Sequence, residues 1–196
     1  MSSQQVACDK VDQMVEQYKH VWKTRAAVFS FIKGTLRRGW NHHPAKLELL
    51  KKVRKQIPNP NPKGKKPTVW GADCPLCGRT LPLKDFQVDH ILEETASLTK
   101  VEDIQSCAEK LLLVVEEDLR VICCDCHEVV TLSQRMGCSF EQAKFEKDFI
   151  IPFGKLKAKQ QIETLKEYGI DCAKTNGEQR VALYRALMEE QCKQSS

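Results

Sequence analysis

Apolar residues return at three- and four-residue steps through the first part of the chain, at Val11, Met14, Val15, Tyr18, Val21 and Trp22. That period puts them on one helical face and predicts helix from about residue 4 to 39, with Gly34 as a break point. Pro44 opens a second helical pattern, HPAKLELLKKVRKQI, in which Leu47, Leu50 and Val53 form an apolar stripe. Lys46, Lys51, Lys52, Arg54 and Lys55 form a basic one beside it. The periodicity then stops at PNPNPKGKKP, residues 58–67. Prolines, a glycine and lysines there predict an extended linker with little internal hydrogen bonding, and a boundary.

Beyond the boundary the pattern changes to short strand-like runs, FQVDHI at 86–91 and LRVI at 119–122. Between them SLTKVEDIQSCAEKLLLVV reads as a helix, with Thr99 and Glu102 at capping-box spacing and Leu111 to Val115 as core packing. EVVTLSQRMG reads as a short helix ended by Gly137, and SFEQAKFEKDF starts another with Ser139 and Gln142 again at capping-box spacing. Helices at about 155–168 and 176–192 close the chain. The class is α+β, organised as a basic helical extension and linker at 1–68, a small core at 69–136 and a helical extension at 137–196.

With 196 residues and 41% hydrophobic content, the chain can build one compact core, or a small core with helical attachments. No apolar run approaches the roughly 18 to 20 residues needed to cross a bilayer, and MSSQQVACDK lacks the apolar stretch of a secretory signal. The expectation is a soluble cytoplasmic protein with no membrane partner. Charge is uneven. Residues 1–70 hold 15 of the 31 Lys and Arg but 4 of the 26 Asp and Glu, so a net charge of +5 divides into +11 before residue 71 and −6 after it. Such a split suits a chain whose first part grips a polyanion. Lys33, Arg37, Arg38, Lys51, Lys52, Arg54 and Lys55 are the candidate phosphate contacts. A solvated helical face is the other reading of the same charges.

Ten cysteines in a chain expected in a reducing compartment point to metal ligation before disulfides. Cys74 and Cys77 form one CxxC pair, and Cys123 and Cys126 another. Each pair turns tightly enough to aim both sulfurs at one point, so the four can hold one structural zinc. Cys8, Cys107, Cys138, Cys172 and Cys192 stand alone and read as small buried hydrophobes, and Cys124 inside the second pair is not assigned to the metal. The 45 residues between Cys77 and Cys123 exceed the roughly 15 to 20 of an ordinary four-cysteine finger. They house VDHI at 88–91, and His127 follows the second pair directly. His42 and His43, between Trp40 and Pro44, read as turn residues or phosphate contacts.

CPLC at 74–77, VDHI at 88–91, DLRVICCDCH at 118–127 and the helix entry EVVT at 128–131 together resemble the HNH endonuclease family in its zinc-stabilised form. FIKGTLRRGW and GCSFEQAKFEK are similar to stretches of bacteriophage-encoded members, which implies a phage origin and the host cytoplasm. The resemblance implies a ββα-metal core flanked by helical extensions, with DNA as partner. It implies Asp89 and His127 as ligands of one catalytic divalent metal (Mg, Mn or Zn), and His90 as the base that activates water. Products would carry 5′-phosphate and 3′-hydroxyl ends.

Two positions depart from the family pattern. Asp118 stands where the family has an asparagine that orients the catalytic histidine, and Val130 where a lysine is frequent. A carboxylate at 118 can still orient an imidazole but stabilises its protonated form, so a raised His90 pKa and reduced activity or a higher pH optimum are expected. Two rivals stand beside the nuclease: a zinc-stabilised DNA-binding protein of the same fold with weakened catalysis, and a zinc-supported protein-interaction module. No oligomeric state is assigned.

Overall fold

The first apolar stripe folds as two helices. In the computed structural model, which describes residues 3–61, 63–91 and 98–194, α1 spans Ser3–Gln17 and α2 Arg25–Asn41. The break falls at 18–24 because Thr24 has an extended backbone and its hydroxyl accepts the Ala27 N–H, a cap that starts a new helix. Gly34 lies inside α2, where a glycine weakens a helix by about 1 kcal/mol against alanine without ending it.

α3, Pro44–Val53, starts at its proline as expected. It stops earlier than its pattern suggests, because Arg54 is extended and Lys55–Pro58 form strand β1. β1 pairs antiparallel with β2, Thr68–Asp73, from Lys55↔Gly71 to Pro58↔Thr68, and β2 pairs with β3, Thr80–Pro82. Residues 58–67 therefore close a hairpin and are not an extended linker; of them, Pro62 lies outside the described residues. The loop has internal hydrogen bonds that proline content alone does not foretell. The Asn59 N–H donates to the Pro67 carbonyl at 2.9 Å, its Nδ2 to Lys66 O at 2.8 Å, and Asn61 Oδ1 accepts the Lys63 N–H at 3.1 Å.

Gly71 lets β1 and β3 close on β2. A Cβ there would lie 2.4 Å from Ile57 Cδ1 and 2.6 Å from the Leu81 carbonyl. Gly71→Ala is expected to cost about 1–3 kcal/mol by overpacking, read as a lower urea midpoint. An unchanged midpoint would contradict this packing.

The strand readings 86–91 and 119–122 become β4, Phe86–His90, and β5, Leu119–Cys123, paired antiparallel from Phe86↔Cys123 to His90↔Leu119. The segment joining them carries α4, Asp103–Leu112, shorter than the 97–115 pattern, of which Ser97 lies outside the described residues. Its entry is stabilised by Asp103, whose Oδ2 accepts the N–H groups of Thr99 and Lys100 and the Thr99 hydroxyl, in place of a Thr99–Glu102 box. Because α4 ends at Leu112, Leu113 (78% exposed) and Val115 (58%) face solvent and do not pack in a core as the stripe suggested. Val11, Val28, Phe29, Leu98 and Cys107 bury together, joining α1, α2 and α4.

The chain divides into two compact units, Met1–Cys124 and Asp125–Ser196, the division falling in the first turn of α5, Cys124–Met136. In the second unit, α5 is followed by Gly137 at φ +62°, the left-handed position that ends a helix. Ser139 and Gln142 then make both bonds of the capping box at the start of α6, Phe140–Phe145. α6 continues through a wide turn, Glu146–Ile150, into α7, Ile151–Gly154. Pro152 lacks the N–H of a regular helix, and the five-residue turn before it accommodates that loss. α8, Ala158–Glu167, and α9, Gly177–Gln194, complete the unit, with Phe153 stacked on Tyr184 at 4.0 Å beside buried Leu165 and Cys172. The protein is α+β, and among its described residues no helix is long and apolar enough to cross a membrane.

Candidate functional site

The first CxxC follows β2 directly. Gly78, at φ +69°, allows a turn in which its N–H donates to the Cys74 carbonyl at 2.8 Å and the Cys74 N–H to the Arg79 carbonyl at 2.9 Å. The second pair spans the end of β5 and the first turn of α5. The Sγ atoms of Cys74, Cys77, Cys123 and Cys126 all lie within 4.8 Å of one another, a cluster able to hold a metal ion. Cys107 and Cys172 are buried hydrophobes as expected, whereas Cys192 is exposed and Cys8 and Cys138 are half-buried.

Donors point at the sulfurs from outside the cluster. The Cys123 N–H faces Cys74 Sγ at 3.4 Å, and Arg79 directs Nε to Cys77 Sγ at 3.3 Å and Nη2 to Cys123 Sγ at 3.5 Å. Such N–H groups and a guanidinium give the sulfurs the outer hydrogen bonds that orient metal ligands.

At the other end of β4, Asp89 and His90 point to opposite sides, as neighbours on a strand must. Asp89 lies across from Arg120, whose Nη2 and Nε reach Asp89 Oδ2 at 2.8 and 2.9 Å. His90 packs its ring on Trp40, with centroids 4.6 Å apart. Its Nε2 is buried with no hydrogen-bond partner among the described residues, while the ring bonds the Leu111 backbone. That bond is therefore made by Nδ1–H to the carbonyl, and the neutral ring keeps its lone pair on Nε2.

His43 does the same to the next carbonyl. Its Nε2 lies 2.9 Å from Leu112 O, so it carries the proton, and Nδ1 is left buried and unpartnered. Two imidazoles thus satisfy carbonyls of the last turn of α4, which no intrahelical N–H can reach. His43 also stands 5.5 Å from Trp40, ring to ring.

No protein-family model, curated protein or solved structure matches the chain.

Asp118 acts differently from the expectation. Its Oδ2 accepts the Val115 N–H at 2.9 Å and its backbone carbonyl accepts the Ile91 N–H at 2.8 Å, so the residue ties the end of β4 to the entry of β5. Burial holds the His90 pKa below the usual 6.5, outweighing the upward pull of Asp89, the Leu111 bond and the Asp118 charge. The expected rise is thus reversed, because the imidazole is covered by Trp40 and α4.

A pH effect follows. As pH falls through 6.5 the unfolded chain protonates residue 90 while the folded chain does not, so stability is lost until the folded pKa is passed. His90→Gln is expected to flatten the urea midpoint between about pH 7 and 5. A profile identical to wild type in that window would rule out this account.

His127 lies in the first turn of α5, half-buried, and its carbonyl accepts the Thr131 hydroxyl at 2.9 Å, which occupies the side chain one turn on. Val130 is 7% exposed, so a lysine at that position would place its charge among buried residues. Of the basic candidates, Lys33, Arg37 and Arg38 lie on α2 and Lys51 and Lys52 on α3, with Arg54 and Lys55 entering β1. Lys51 pairs with Glu48, Lys52 with Glu116 and Lys55 with Asp73, Arg38 donates to Thr35, and Arg54 stacks on Trp70 at 4.5 Å. Lys33 and Arg37 have no ion-pair partner among the described residues.

Arg79, Arg120, Trp40 and the role of His43 were not legible in the chain. Trp40 and His43 lie about fifty residues from His90, and no local spacing links them.

Proposed function

We propose that the chain is a zinc-stabilised, metal-dependent DNA endonuclease of the HNH type. The observation that carries this reading is the juxtaposition on one antiparallel pair: a four-cysteine cluster at one end, and Asp89 beside a neutral His90 with its lone pair on Nε2 at the other. β5 runs directly into α5, which gives the ββα order of that family. Zinc suits the cysteines. Cys77 and Cys123 Sγ are 3.8 Å apart, and sulfurs about 2.3 Å from a tetrahedral zinc stand about 3.8 Å from one another.

Chemically, His90 Nε2 takes a proton from water as the water oxygen attacks phosphorus. The P–O3′ bond breaks, and O3′ leaves to end as a hydroxyl opposite a 5′-phosphate. Asp89 and His127 would be the residues to hold a Mg, Mn or Zn ion, which when bound would stabilise charge on the phosphorus centre and the departing oxygen. Arg120 holds the Asp89 carboxylate in place for that role. Nε2 is covered in the free chain, so substrate entry must uncover it.

That covered nitrogen, with Asp89 neutralised by Arg120, favours a second reading: a zinc-stabilised DNA-binding protein of the same fold with weakened catalysis. Supercoiled plasmid with Mg²⁺ or Mn²⁺ separates the two. Metal-dependent nicking that His90→Ala abolishes supports the nuclease; binding without cleavage by both proteins supports the second reading.

DNA binding should weaken with salt, by a log–log slope of about −0.9 per neutralised phosphate. Alanine at Lys33 and Arg37 should flatten this slope more than alanine at Lys51, Lys52 and Lys55, whose ammonium groups must first leave Glu48, Glu116 and Asp73. Equal slopes in all variants would remove these residues from the interface.

A further inference from the structure

Between the α2–α3 corner and the start of β4 lies a cleft of 580 Å³. Its volume falls in the range of about 300–1,000 Å³ typical of small-ligand sites. The floor is apolar, made by Leu50, Leu83, Phe86 and Val88, and Trp40 forms one wall. Lys46 and Lys84 supply two ammonium groups and Asn41 and Gln87 two carboxamides, while no carboxylate is among the lining residues.

Lys46 is the informative member. Its Nζ stands 5.3 Å from the centre of the Trp40 ring and 3.4 Å from Asn41 Oδ1, and it has no carboxylate partner among the described residues. Burial accordingly pushes its pKa below the usual lysine range. An ammonium drawn partly out of water without a counterion is unfavourable, and an anion entering the cleft would offset that cost. Lys84, exposed at the mouth, also has no ion-pair partner among the described residues. The apolar floor suits a flat ring, and the carboxamides offer a donor and an acceptor each to its edge.

We propose that this cleft binds a nucleoside monophosphate unit, with the base over Leu50, Phe86 and Val88 and the phosphate on Lys46 and Lys84. The choice of a nucleotide over other anionic ring compounds rests on the nuclease reading, because β4 runs from Val88 straight into Asp89 and His90. The unit has two sources, a free mononucleotide or an unstacked nucleotide of a DNA strand.

Calorimetric titration of the full chain with deoxyadenosine monophosphate, deoxyadenosine, inorganic phosphate and a short single-stranded oligonucleotide tests this. The monophosphate should bind more tightly than either fragment, and Lys46→Gln should weaken it about tenfold, the loss of one charge-assisted contact. Leu50→Trp, which fills the cleft, should remove binding. Lys84→Glu, which places a carboxylate at the mouth of the cleft, should do so by repulsion even where Leu50→Trp disturbs the fold. Oligonucleotide binding tighter than the monophosphate and sensitive to the same variants assigns the strand as source; equal binding assigns the free nucleotide. Absence of monophosphate binding, or binding unaffected by all three variants, overturns the proposal. Nicking without such binding overturns the cleft alone, and binding without nicking overturns the nuclease reading alone.

Discussion

Removing the metal from the Cys74, Cys77, Cys123 and Cys126 cluster is expected to unfold the β4–β5 pair and the turn after β2. Three of these cysteines are buried, with Cys74 fully covered, so the thiols have no solvent to fall back on. A structural zinc site contributes about 10–16 kcal/mol of binding free energy in small peptides at neutral pH, which is of the order of a whole domain's stability or above it. A strong chelator should therefore lower the melting temperature by tens of degrees, and Cys74→Ser or Cys126→Ser should do nearly the same. Cys124→Ser provides the contrast. Cys124 lies inside the second CxxC yet outside the cluster, so its loss should change stability by little. The measurements are zinc content of the purified protein, melting with and without chelator, and the number of thiols that become reactive when metal is withdrawn. A metal-free protein whose melting ignores the chelator would overturn the zinc assignment.

His90→Ala is expected to lower metal-dependent plasmid nicking by about 10²–10⁴-fold, the usual contribution of a positioned general base. The geometry adds a sharper test. His90 is held neutral by burial, which outweighs the upward pull of Asp89, the Leu111 carbonyl and Asp118, so the free base is abundant at neutral pH and the nicking rate should not require alkaline conditions. Asp118→Asn removes one upward influence on the His90 pKa while leaving an amide oxygen to accept the Val115 N–H, so it should shift the pH profile slightly downward. Asp89→Asn should lower nicking and raise the metal concentration needed, because it removes the carboxylate held by Arg120. Nicking that survives His90→Ala with the fold intact would remove this histidine from the chemistry.

The order of cysteine pairs, strands and the following helix was readable along the chain because each signal is local. A CxxC turn needs four residues, and a strand or a capping box needs only slightly more. Ser139 with Gln142 and Pro44 at a helix start behaved as their sequences implied, for the same reason. Thr99 with Glu102 did not, since Asp103 next door takes the Thr99 N–H and hydroxyl that the box would use. The segment 58–67 misled for a different reason. Its prolines exclude helix, but whether the flanks pair is decided by Ile57 and Gly71 meeting across the hairpin.

By itself the sequence determined the α+β class, the two CxxC turns, the Asp89-His90 strand with its partner strand, and the basic first third. Only the tertiary structure decided that the four sulfurs meet, that Arg120 occupies Asp89, and that His90 lies between Trp40 and the end of α4. Periodicity reports which face of an element is apolar, but not which distant residue covers it. The protonation of His90 depends on that cover, because the cost of desolvating a charge is set by whatever excludes the water.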